Sequence, residues 1–122
     1  MRQPTPPDAK WAWWEAAIDG RAPPIHEDQP QQGFYAVRRF RYGEWARGPF
    51  VPARIWWEPG EIDPDTGELL TDERCRCEID GRPADPWRNW TWLARRPISL
   101  SEFEWLTALS PLLPTKIPNR RR

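Results

Sequence analysis

The chain has 122 residues, 39% of them apolar, which is enough for one hydrophobic core and too little for two. Eighteen basic residues balance eighteen acidic ones, which excludes a general attraction of the whole molecule for nucleic acid or an anionic membrane. No segment reaches the roughly 18 apolar residues that span a bilayer, and the Pro-rich start lacks the order of a secretion signal, so a cytoplasmic protein is expected.

Ten Trp, sixteen Pro and seven Gly make the composition unusual. A buried aromatic ring removes roughly 150–250 Å² from water, so a few Trp offset a shortage of Leu and Val. Ten exceed what one small core hides, and Trp is enriched where binding energy concentrates, which places some rings on a contact surface.

In chain order, Pro6, Pro7 and Asp8 begin a helix over 8–19, with Asp8 as N-cap and Gly20 as the stop. Trp11, Trp14, Ala17 and Ile18 form its inward stripe, and Trp13 points elsewhere as a first candidate anchor. Residues 21–32 hold three Pro and no period, and read as an extended strap. His26, without Cys or a second His at ligand spacing, is a surface or hydrogen-bonding residue.

Residues 34–96 read as the antiparallel sheet region. Phe34–Tyr42 and Phe50–Glu58 form a hairpin whose second strand turns Val51, Ala53, Ile55 and Trp57 inward and Pro52, Arg54 and Trp56 outward. Gly43 and Gly48-Pro49 supply its turn, and Pro52, without a ladder donor, argues for an edge or bulged position open to a partner. Asp63-Pro64-Asp65-Thr66-Gly67 is a turn, and Arg74–Asp80 is a third strand with Cys75, Cys77 and Ile79 on one face. Asp80-Gly81 reverses the chain, Asp85-Pro86 starts a short helical turn, and Trp90–Leu93 reads as a short fourth strand. Ser99 or Ser101 caps a last helix over 99–110 with Phe103, Leu106 and Leu109 inward, and an extended basic tail follows over 111–122. The expected fold is α+β: a three- to four-stranded antiparallel sheet with an N-terminal and a C-terminal helix, its core including Trp14, Ile55, Trp57, Ile79 and Leu106.

Chemistry-bearing patterns are few. Asp63-x-Asp65-x-Gly67 resembles the start of a calcium loop, but Gly stands at position five and Arg74 at position twelve, so calcium is not expected. Cys75 and Cys77, one residue apart on a strand, cannot easily bridge each other and lack two further zinc ligands, so reduced thiols are expected. No nucleophile elbow, phosphate loop, zinc-helix motif or dinucleotide fingerprint occurs; the expectation is a binding protein without cofactor, metal or catalysis.

Charge is unevenly placed. Glu58–Glu73 carries seven acids and no base, while Phe34–Arg54 carries five Arg against Glu44, so a dipolar surface is expected. The acidic run, with Glu61, Asp63 and Asp65, suits a basic nucleic-acid channel by charge complementarity. Arg39 and Arg41 among Tyr35, Phe40 and Tyr42, and Trp87, Trp90 and Trp92 among Arg88, Arg95 and Arg96, suit a protein interface or a single-stranded nucleic acid. Trp13, Arg39, Arg41, Arg54, Trp56, Glu61, Asp63, Asp65, Trp87 and Trp90 are the candidate partner-binding residues.

From Pro24-Ile25-His26-Glu27-Asp28 through Gly33-Phe34-Tyr35, Gly48-Pro49-Phe50-Val51-Pro52, Asp63-Pro64-Asp65-Thr66-Gly67-Glu68, Ile79-Asp80-Gly81-Arg82 and Pro97-Ile98-Ser99, the chain resembles small uncharacterised proteins of phages and prophages of proteobacteria. The resemblance implies an accessory factor that docks on a host protein complex, including inhibitors of defence or nucleic-acid enzymes such as anti-CRISPR proteins. The alternative it leaves is a single-strand-binding replication or recombination accessory protein.

Overall fold

A computed structural model describes residues 7–38 and 49–109, which form an α+β fold around a four-stranded antiparallel sheet. The strands β1 (Gly33–Arg38), β2 (Phe50–Glu58), β3 (Arg74–Ile79) and β4 (Arg82–Ala84) lie in sequence order. Helices α1 (Pro7–Lys10) and α2 (Ala12–Ile18) precede the sheet, and α3 (Pro86–Leu93) and α4 (Leu100–Leu109) follow it.

The turn chemistry explains most boundaries. α2 ends in a Schellman arrangement: Gly20 takes φ +80°, and its N–H and that of Arg21 close on the carbonyls of Ala17 and Ala16 at 3.1 and 3.0 Å. Asp80 and Gly81, with φ 55° and 77°, connect β3 to β4 as a two-residue turn whose twist matches the strands. Asp85 caps α3, its carboxylate accepting from Trp87 and Arg88 N–H, and Pro86 fits the first turn because its missing donor would be an orphan there. The Ser99 hydroxyl accepts from Glu102 N–H at 3.1 Å and caps α4.

Four expectations need correction. The single helix over 8–19 is two short helices, because the chain makes a tight turn at Trp11, whose N–H bonds back to Asp8 O at 3.3 Å. Asp8 lies inside α1, where it complements the helix dipole, rather than capping it. Trp90–Leu93 is not a strand but the second half of α3, since a capped start carries the helix on to Leu93; the fourth strand is β4. Pro52 is buried in β2, an inner strand of the sheet, not at an edge. Ala36, its partner in β1, turns its own N–H away from β2 to Arg96 O, so the donor Pro52 lacks would face β3. There the chain is already turning, and Pro52 O accepts from Asp80 N–H at 2.8 Å.

Both sheet edges are blunted. Residues 96–98 run along the outside of β1, with Ala36 N–H donating to Arg96 O and Ile98 N–H to Phe34 O. The other edge is the three-residue β4, which contains Pro83.

The core lies on one sheet face. Tyr35, Val37, Val51, Ala53, Ile55 and Cys77 meet Trp90, Leu93 and Ala94, with Trp14 closing one end. Trp14 and Ile55 are buried as expected, whereas Trp57, Ile79 and Leu106 are only half-buried. The indole N–H of Trp14 is shared between Phe34 O at 3.1 Å and Ile98 O at 2.9 Å, which ties the sheet to the segment along its edge. α4 crosses the opposite face, where Phe103 packs on Phe34 at 4.6 Å.

Candidate functional site

The strap between α2 and β1 has few backbone partners of its own, and aromatic donors satisfy its carbonyls. Trp13 Nε1 donates to Pro24 O at 2.8 Å, Trp90 Nε1 to His26 O at 2.8 Å, Tyr35 OH to Gln31 O at 2.8 Å and Trp57 Nε1 to Pro30 O at 3.3 Å. The strap is thereby fixed against the sheet, and the surface beside it becomes a built groove.

That groove, of about 350 Å³, is lined by Lys10, Asp28, Pro30, Trp57, Glu73 and Trp87, among others. Trp87 is 54% exposed and meets Trp57 edge-to-face at 6.0 Å, so a large ring stands at its rim on a rigid support. Glu73 pairs with Lys10 at 3.4 Å across the groove.

The acidic run leaves the sheet from the same end, since it joins Glu58 of β2 to Arg74 of β3 and these two residues are register partners. It is a small hydrogen-bonded arm. Ile62 and Leu69 form a bridge, Asp63 N–H donates to Glu68 O, Gly67 N–H to Asp63 O and Leu70 N–H to Glu61 O. The Asp63 carboxylate accepts from Asp65 N–H, and the Thr71 hydroxyl accepts from Glu61 N–H at the base. Glu61 and Asp65 are exposed, Asp63 is half-exposed, and Ile62 and Leu70 stand out at 44% and 61%. Glu58 is engaged by Arg76 at 3.0 Å.

The other candidate residues separate. Trp90 is fully buried, which takes it off the contact surface, and the half-buried Trp13 packs edge-on against it at 5.0 Å with its N–H committed to Pro24. Arg54 stacks over Trp56 at 4.3 Å and pairs with Glu78 at 2.8 Å, so its charge is already met. On the face they share, Phe103 and Thr107 of α4 lie beside Pro52 and Arg54 and cover that end. Arg39 and Arg41, with the 43–48 turn and the 111–122 tail, lie outside the described residues. On α4 the expected stripe Phe103, Leu106 and Leu109 is the half-buried one; Trp105, 62% exposed off that stripe, was not singled out from the sequence.

The thiols of Cys75 and Cys77 are free and face the core side, and burial pushes both up to about 12 from an ordinary value of 9.0. Burial, reinforced by these neighbouring thiols, also raises the Tyr35 hydroxyl. Well below pH 9 both thiols keep their protons whether folded or unfolded, and the stability they confer is complete. Above it the unfolded chain binds fewer protons than the folded one, so stability falls as pH rises from about 9 toward about 12. Thermal melts across that range should show a decline that a Cys75→Ala/Cys77→Ala variant reduces; an equal decline in that variant would remove the thiols as its cause.

Among the described residues no three His, Cys, Asp or Glu side chains come together as a metal group, and no helix is long and apolar enough to cross a membrane. No protein-family profile, curated protein or solved structure matches this chain.

Proposed function

We propose that the chain is a non-enzymatic, cytoplasmic binding protein of phage origin that docks its acidic arm and the adjoining Trp57–Trp87 groove on a basic surface of a host protein complex. The observation that carries this reading is that the arm is built: its backbone bonds close a small hairpin that presents Glu61 and Asp65 exposed and Asp63 half-exposed, without basic partners among the described residues. A preorganised row of carboxylates loses little entropy on binding and repeats the charge of a phosphate backbone. The exposed Ile62, Leu70 and Trp87 add apolar contact that a purely solvated loop would not need. A nucleic-acid channel of a host defence or replication enzyme has the matching charge, and occupying it would inhibit the enzyme.

The test is capture from nuclease-treated proteobacterial lysate with the unaltered chain and with a Glu61→Gln/Asp63→Asn/Asp65→Asn variant. Asn at 63 keeps the acceptor that holds the arm. A specific protein retained by the unaltered chain and lost at least tenfold by the variant is expected, with Trp87→Ala weakening the same complex by about 2 kcal/mol. Equal retention by all three chains would overturn the assignment of this surface.

A further inference from the structure

The end of β2 away from the arm carries the opposite charge. Arg38 ends β1, Phe50 begins β2 as its register partner, and Arg95 and Arg96 follow α3. These segments are distant in sequence, yet they converge on one open groove of about 340 Å³, lined also by Trp92 and, among the described residues, by no carboxylate. The Phe50 ring collects two cations: the guanidinium carbons of Arg38 and Arg96 lie 4.4 and 4.3 Å from its centroid. Arg95, exposed, stands on the same rim.

We propose that this groove is a binding site for single-stranded nucleic acid. Stacking on Phe50 restrains two planar guanidinium groups, and their N–H edges are the donors that match phosphate oxygens in pairs. Unpaired bases have free faces for stacking on the guanidinium planes and the half-buried Trp92, which a duplex does not offer. The site is separated from the acidic arm by the nine residues of β2, roughly 26 Å of extended chain. It therefore stands or falls independently of the docking surface proposed above.

The probe is a fluorescently labelled fifteen-nucleotide oligo-dT, followed by polarisation with the full chain at low salt. Binding is expected with a slope of log affinity on log salt near −2, from three arginine contacts at about −0.7 each. Arg95→Gln/Arg96→Gln should weaken binding at least tenfold and flatten the slope by about 1.4. On the unaltered chain, oligo-dT should protect Arg38, Arg95 and Arg96 from phenylglyoxal, which tests the site even where the variant folds poorly. Unchanged affinity in a folded variant, or no protection of these arginines, would overturn the proposal. So would inorganic polyphosphate or a duplex of equal length binding as tightly as oligo-dT, since the groove would then read charge alone.

Discussion

Trp90→Ala should destabilise the chain by about 3–5 kcal/mol, a large part of the roughly 5–15 kcal/mol that holds a domain of this size folded. The ring is fully buried, edge-on to Trp13 at 5.0 Å and to Tyr35 at 5.8 Å, so removing it leaves a cavity with aromatic walls. It also removes one of the two hydrogen bonds that the His26 carbonyl accepts, leaving that from Gln29 N–H, and loosens the strap at its middle. Chemical denaturation of this variant beside Trp87→Ala measures the contrast. Trp87 is 54% exposed, and its loss should cost far less. Similar midpoints for the two variants would show that Trp90 is not a keystone of the core.

The sheet was legible because its signals are local. Val51, Ala53 and Ile55 alternate with Arg54 and Trp56 as a half-buried strand requires, and Asp80-Gly81 permits the left-handed turn that the hairpin adopts. The helix caps at Asp85 and Ser99 were legible for the same reason. What remained hidden was the division of labour among the tryptophans. Composition offers two places for a ring, core or contact surface, but Trp13, Trp14, Trp57 and Trp90 have a third use as hydrogen-bond donors to carbonyls outside any ladder. A Pro-rich strap leaves such carbonyls unmet, and only the fold reveals which rings reach them.

The candidate surfaces divide in the same way. The acidic arm could be read from its run of carboxylates, because consecutive residues of one sign stay together in any fold. Its internal bonds, which separate a docking element from a solvated loop, depend on Thr71 and Leu70 returning to Glu61. The basic groove could be read only in part: Trp92, Arg95 and Arg96 stand together in the sequence, but Arg38 and Arg96 meet over Phe50 only after the segment beyond α3 pairs along β1. Zero net charge thus conceals two opposite poles, and the exclusion of nucleic acid drawn from the total holds for the molecule as a whole but not for each of its ends.

Gly33→Ala should cost about 3 kcal/mol, although it adds a single methyl group to a position where the backbone would otherwise accept one. A Cβ at Gly33 would lie 2.5 Å from Cγ and Cδ1 of Trp14 and 2.7 Å from its Cβ, distances at which something must shift. The obstacle is not the loose end of a flexible chain. Trp14 is 9% exposed and packed edge-on against Trp11 and Phe34, and its indole N–H is held by two carbonyls from different segments. Moving the ring gives up those bonds and opens the contact between α2, β1 and residues 96–98; moving β1 instead disturbs its pairing with β2. A double-mutant cycle with Trp14→Ala separates this clash from any intrinsic preference for glycine. Alanine lacks the two atoms of closest approach, Cγ and Cδ1, so Gly33→Ala should be markedly less harmful in the Trp14→Ala background, with a coupling energy above about 1 kcal/mol. Additive effects of the two substitutions would place the demand for glycine in the backbone and not under the Trp14 ring.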